Sequence, residues 1–168
     1  MRRTWAPRGQ TPILTHPYNW KRASMAGVLA YRADGSRARV LLGTQPGAYD
    51  TPSLIAFLRQ LRRHFRGQQV ILIWDGLPSH RSTAMELYLQ RQRHWLEVVR
   101  LPAYAPELNP LEGMWAYLKG GPLANLCTKY IEELEISAAD GVEAVRRSHD
   151  LPFAFLRHTG LALCRSVN

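Results

Sequence analysis

Two carboxylates in this chain stand where a carboxylate can do chemistry. Asp75 directly follows the apolar run Val70-Ile71-Leu72-Ile73-Trp74. Glu112 falls in the first turn of a helix that opens after the turn-rich Pro106-Glu107-Leu108-Asn109-Pro110. Acids placed just past apolar segments lie at the edge where a sheet meets its loops. An α/β domain can gather oxygen ligands around a metal ion there. Each acid also has a plain structural reading. A lone Asp after a strand commonly caps a neighbouring amide. A Glu in a first helical turn stabilises the helix by itself, typically by less than about 1 kcal/mol. Glu107, five residues before Glu112, competes with it as a ligand.

The flanking residues separate these readings. The stretches VILIWDGLPSH (70–80) and LPAYAPELNPLEGMWAYLK (101–119) resemble the DDE catalytic domain of IS630/Tc1-mariner transposases. The likeness runs over about residues 4–126. Its most specific part is the pattern Leu-Pro-x-Tyr-x-Pro-Glu-Leu-Asn-Pro-Leu-Glu-x-x-Trp. The resemblance implies an α/β, ribonuclease-H-like fold, the catalytic core of integrases and transposases. It also implies three carboxylates around two Mg²⁺ ions, with Asp75 matching the second and Glu112 the third. The family's first carboxylate lies on a strand upstream of a segment like Arg3-Thr4-Trp5-Ala6-Pro7-Arg8-Gly9. The expected domain is therefore incomplete at its N-terminus. Residues 1–126 would form a truncated DDE catalytic domain and residues 127–168 a C-terminal helical extension.

That family chemistry assigns roles. Two metal ions about 4 Å apart can serve both ends of an in-line phosphodiester displacement. Asp75 would hold or bridge one ion, and Glu112 the other, their carboxylates converging at the carboxyl end of the 70–74 strand. Mg²⁺ is the expected cofactor, with Mn²⁺ as a substitute, because both take oxygen ligands. His80 is a third candidate, since relatives often carry a His there. It could meet a DNA phosphate or a metal-bound water, or it could pack locally. Arg81 and Lys119 could meet phosphates, whereas Asn109 suits a helix cap and Trp115 core packing. Asp34 in a hairpin turn and Asp50 before a helix are poor replacements for a first carboxylate. The expected partners are double-stranded DNA at transposon ends and a second copy or a full-length transposase. Metal-dependent strand cleavage and transfer, defective in this chain alone, is the expected activity. A non-catalytic DNA-binding or oligomerisation fragment is the alternative. A structure-directed ribonuclease would share the fold but leaves the long Pro-Glu-Leu-Asn-Pro motif unexplained.

The elements that must position these residues are legible in outline. Residues 1–19 are rich in Pro and Arg and read as irregular. Residues 25–31 and 37–42 read as strands joined at Asp34-Gly35, a hairpin signal. Thr51-Pro52 opens a helix, with Thr51 as cap and Pro52 at its first position. Leu54, Leu58, Leu61 and Phe65 give it a buried face, and Gly67 ends it. Residues 70–74 read as a strand covered on both faces. A helix over 82–93, a strand over 96–101 and a helix over 110–118 follow. Gly120-Gly121-Pro122 breaks the chain. Residues 128–148 read as one helix, acidic early and basic late, as its dipole favours. Residues 151–163 form a final short helix.

Composition narrows the class. The 168 residues, 46% hydrophobic and 21% charged, suffice for one core and argue against global disorder. No apolar run has the length of a membrane span, and no signal peptide is evident. Cys127 and Cys164, without metal-site spacing, suit a reducing cytoplasm. The net charge of +9 is uneven. Residues 1–66 carry twelve Lys and Arg against Asp34 and Asp50, a balance of +10. The other residues carry ten against eleven acids, a balance of −1. A basic half points to a polyanionic partner held by salt-sensitive phosphate contacts.

Overall fold

The computed structural model of the chain describes residues 7–10, 23–126 and 130–163. The readings of most of residues 1–19, and of both cysteines, lie outside them. By internal contacts the chain divides into two compact units. One comprises Met1–Gly47 with Pro110–Asn168, the other Ala48–Asn109.

The first unit begins with strands β1 (Ala23–Tyr31) and β2 (Ala38–Pro46), paired antiparallel. Asp34 Oδ1 accepts from Ser36 N (2.9 Å) and Ser36 Oγ (2.6 Å), and Gly35 takes φ 69°, so the expected turn closes the hairpin. The register runs from Tyr31↔Ala38 to Ala23↔Pro46, which extends β2 four residues beyond the apolar stretch that marked it. Helices α3 (Pro110–Gly120), α4 (Ile131–Arg147) and α5 (Asp150–His158) complete this unit. Its core is Val40, Met114, Leu118, Val142, Val145 and Phe155. α3 approaches β1 closely at Gly27, where a β-carbon would stand 3.0 Å from both Leu111 and Trp115. Trp115 is thus a packing residue. Arg146 Nε donates to Val40 O (2.9 Å), tying α4 to β2.

The second unit contains helix α1 (Thr51–His64), strand β3 (Val70–Trp74), helix α2 (Thr83–Gln92) and strand β4 (Leu96–Arg100). Its buried apolar residues include Leu54, Leu58, Leu61 and Phe65, the face marked by helical spacing, with Met85, Trp95 and Leu96. The cap of α1 is Asp50, not Thr51. Asp50 is extended, and its Oδ1 accepts from Ser53 N (2.9 Å) while Asp50 N donates to Ser53 Oγ (2.9 Å). This reciprocal pair satisfies two otherwise orphaned donors. The Thr51 hydroxyl instead shares a hydrogen bond with Ser82 Oγ (2.9 Å), the residue that caps α2.

β3 and β4 pair in parallel, from Val70↔Leu96 to Trp74↔Arg100. The expectation that β3 is covered on both faces is not met. Ile71 is 65% exposed and Ile73 54%, and Val99, opposite Ile73, is also exposed. Pleating sends alternate side chains to opposite faces, and a helical crossover between two strands covers one of them. Among the described residues the strands form two two-stranded sheets, β1–β2 and β3–β4. No described helix is long and apolar enough to cross a membrane.

Candidate active site

The end of β3 presents Asp75 because the strand's last ladder bond forms just before it, where Leu101 N donates to Trp74 O (2.9 Å). Asp75 is then released from the sheet. Its Oδ1 accepts from Leu77 N (3.2 Å), which shapes the turn leading into a short 3₁₀ segment, Pro78–His80. That segment returns His80 toward the strand end. His80 Nδ1 lies 2.9 Å from Asp75 Oδ1 and 3.2 Å from Asp75 O. The imidazole also stacks on Trp74, with ring centroids 4.1 Å apart and planes 4° apart. His80 is buried, whereas the Asp75 side chain is 48% exposed. The histidine therefore orients the carboxylate from behind. The ring turns Nδ1 toward both the carboxylate and the backbone carbonyl of Asp75.

Asp75 Oδ2 has no partner among the described residues. One oxygen is thus fixed by the protein and the other is left for a ligand. The Arg81 guanidinium lies against Gly76, where any side chain would collide with it. The cation of Arg81, six residues after Asp75, thus stands over the backbone of the residue that follows Asp75.

Glu112 belongs to the first unit. It sits in the first turn of α3, exposed, with no hydrogen-bond or ion-pair partner among the described residues. Packing on the same helix falls to other positions. Met114 and Leu118 are fully buried, and Gly113 lies against Phe155, 3.1 Å from where its β-carbon would stand. Lys119 is seven residues further along α3, about 10 Å at 1.5 Å per residue, so it is remote from Glu112 on its own helix. Glu107 lies exposed in the 3₁₀ turn Pro106–Leu108. Tyr104, in the loop before it, is fully exposed at φ 58°, an uncommon backbone conformation for a bulky residue.

Both alternative first carboxylates have local structural roles. Asp34 Oδ1 closes the β1–β2 turn, and its pKa is lowered chiefly by the hydrogen bonds from Ser36. Asp50 caps α1, and the bonds from Ser53 lower its pKa. Among the described residues no group of three or more His, Cys, Asp or Glu side chains is placed to hold a metal ion. The donor chemistry of Asp75 and Glu112 still fits Mg²⁺. Both are exposed carboxylates with uncommitted oxygens, and Mg²⁺ retains several waters while taking one or two carboxylates.

The family model described as DDE superfamily endonuclease matches residues 1–135. The chain belongs to this family. Its fold is that of mariner transposases. The Mos1 strand transfer complex aligns with a TM-score of 0.61 at 19% identity, over 95% of this chain and 45% of that one. The Mos1 paired-end complex with the left transposon end aligns at 0.61 and 20%, over 94% and 47%. The Mos1 catalytic domain solved with Raltegravir and Mg aligns at 0.50 and 18%, over 86% and 79%. This DDE endonuclease chain thus spans about half the length of the Mos1 chains in the two complexes. The ribonuclease-H-like α/β class expected from the motifs is the class observed. No curated protein is recognisably similar to the chain.

The motifs gave no sign that His80 stacks on Trp74. The signal was present, because Trp74 and His80 bracket Asp75 and an intervening Pro78 forces a tight turn. Equally unmarked was Gln92, a buried amide that holds Arg62 at the other end of the strands.

Proposed function

We propose that this chain is the catalytic domain of an IS630-type transposase, acting on double-stranded DNA at transposon ends with Mg²⁺ or Mn²⁺. One observation carries the reading. Asp75 ends the first strand of the parallel pair with one oxygen fixed by His80 and Leu77 N and the other uncommitted. A carboxylate used only for capping would have no need of a buried, stacked imidazole. Asp75 and Glu112 are the residues that would hold the metal. When bound, the metal would lower the pKa of a water and stabilise the leaving oxygen of the phosphodiester. His80 keeps Asp75 oriented, and Arg81 offers a cation to a phosphate beside it.

The 168-residue chain is expected to cleave poorly by itself. Two carboxylates hold Mg²⁺ weakly, and Asp34 and Asp50 already serve a turn and a cap through Oδ1. That same observation favours the second reading, a non-catalytic DNA-binding or oligomerisation module that modulates a full-length transposase. Mn²⁺ binding read by electron paramagnetic resonance separates the readings without relying on turnover. The chain should bind Mn²⁺, and Asp75→Asn and Glu112→Gln should each weaken binding at least tenfold, on the order of the losses seen at metal sites. Binding that neither substitution alters would leave only the non-catalytic module.

A further inference from the structure

The opposite end of β3 and β4 carries a second constructed feature. Between the last turn of α1 and the first residues of the strands lies a groove of about 510 Å³. Arg62, Arg63, Arg66, Gln69 and His94 line it, over Phe65 and Trp95. Its polar groups are held in place. Gln92, only 9% exposed, accepts with Oε1 from Trp95 Nε1 (3.0 Å) and from Arg62 Nη1 (3.1 Å). Arg62 Nη2 lies 3.1 Å from His94 Nε2, and Gln69 Nε2 donates to His94 O (3.0 Å). A buried amide thus fixes one guanidinium in the groove before any ligand arrives. Arg63 and Arg66 are exposed and have no ion-pair partner among the described residues.

The charge is one-sided. Residues 59–69 contain Arg59, Arg62, Arg63 and Arg66 and no acid. Residues 91–95 contain Arg91 and Arg93 beside the groove, again with no acid. Basic residues in the last turn of a helix complement its dipole, but one or two suffice, and that effect does not explain cations contributed by a second segment. Arg62 and Arg63 lie in the last turn of α1, and Arg66 lies two residues beyond its end.

We propose that this groove grips the phosphate backbone of duplex DNA. It is a sequence-independent clamp at the end of the β3–β4 pair remote from Asp75, about 16 Å away along a five-residue strand. It rests on the reading of DNA as the partner, but not on cleavage or on metal binding. Cations at this distance from the reacting end, one of them preorganised by Gln92, would hold the duplex without taking part in the chemistry.

The test uses the full chain and a fluorescent duplex of arbitrary sequence, with affinity measured by anisotropy over a range of salt concentrations. The variant R62Q/R63Q/R66Q keeps polar side chains and removes three charges. The slope of log K against log salt should become shallower by about two to three, since each phosphate contact contributes roughly 0.9. Because Arg62 also bonds Gln92, R63Q/R66Q is the companion variant that spares this contact. It should lose somewhat under two, and circular dichroism should match the wild type. Wild-type slopes in both variants would overturn the clamp. So would polyglutamate that displaces the duplex as well, charge for charge, as a second duplex does, because the groove would then take acidic polypeptide. Asp75→Asn separates this proposal from the catalytic one. It should weaken Mn²⁺ binding and leave the salt slope unchanged. Intact metal binding with unaltered slopes in the arginine variants would sink the clamp alone.

Discussion

Gly141→Ala puts the packing of α4 against the end of α3 to a sharp test. Gly141 lies buried in the middle of α4. A β-carbon there would stand 2.5 Å from Leu118 Cδ2, 2.8 Å from Pro122 Cγ and 3.1 Å from Pro122 Cβ. In an exposed helix interior this change gains about 1 kcal/mol, because alanine loses less backbone entropy than glycine. Here the gain meets two contacts under 3.0 Å. Leu118 is fully buried and has no solvent to move into, and the proline ring cannot rotate away. Overpacking of this kind costs about 1–3 kcal/mol. The expected net is a loss of roughly 1–2 kcal/mol, read as a lower urea midpoint at unchanged slope. Ala139→Gly, at an exposed position of the same helix, should lose about 1 kcal/mol from propensity alone. Leu118→Val trims the side chain that clashes, so Gly141→Ala/Leu118→Val should be less unstable than the two single losses combined, by about 0.5 kcal/mol or more. A Gly141→Ala protein more stable than wild type, or strict additivity in the cycle, would refute the close approach of α4 to α3.

Two further outcomes follow from named contacts. His80→Ala should weaken Mn²⁺ binding about 10–100-fold by releasing Asp75, and His80→Asn, whose amide nitrogen can stand near the place of Nδ1, should recover part of it; unchanged binding in His80→Ala would remove the histidine from the site. Tyr31 OH donates to Pro152 O (2.7 Å), so Tyr31→Phe should cost about 1 kcal/mol at neutral pH in thermal or urea unfolding. Burial raises the Tyr31 pKa well above its ordinary 10.0, so this contribution is fully present below pH 10 and declines above it, where the unfolded chain ionises and the folded one does not. The stability gap between wild type and Tyr31→Phe should shrink as pH rises past 10, and a gap that widens there would contradict the assignment.

Much of the architecture was legible because its causes are local. The helical spacing of Leu54, Leu58, Leu61 and Phe65 marks one side of α1, and the same residues are buried. The helix read over 82–93 is α2, with Ser82 at its start as the cap. Asp34-Gly35 closes the hairpin that its turn chemistry announced. These are effects of residues within about four positions of one another, where backbone geometry alone decides who can meet. The placement of Asp75 after a strand and of Glu112 in a first helical turn has the same origin.

By itself, then, the sequence determined the elements, the basic character of residues 1–66 and the family to which the motifs point. Tertiary structure decided the choices that local rules leave open. Asp50 and Thr51 are both good caps. Asp50 holds the position and the Thr51 hydroxyl bonds Ser82, 31 residues away. An all-apolar strand can be covered on two faces or one, and β3 leaves Ile71 and Ile73 open because pleating and a single crossover decide which face is packed. A loop histidine can point anywhere, yet His80 is fixed between Trp74 and Asp75 by stacking and a hydrogen bond. Arg62 reads as one more surface cation until Gln92, 30 residues on, is found holding it. His80 apart, whose partners lie five and six residues away, the deciding partner is distant in sequence and is selected by which surfaces the packed elements bring together, and no spacing in the chain encodes that.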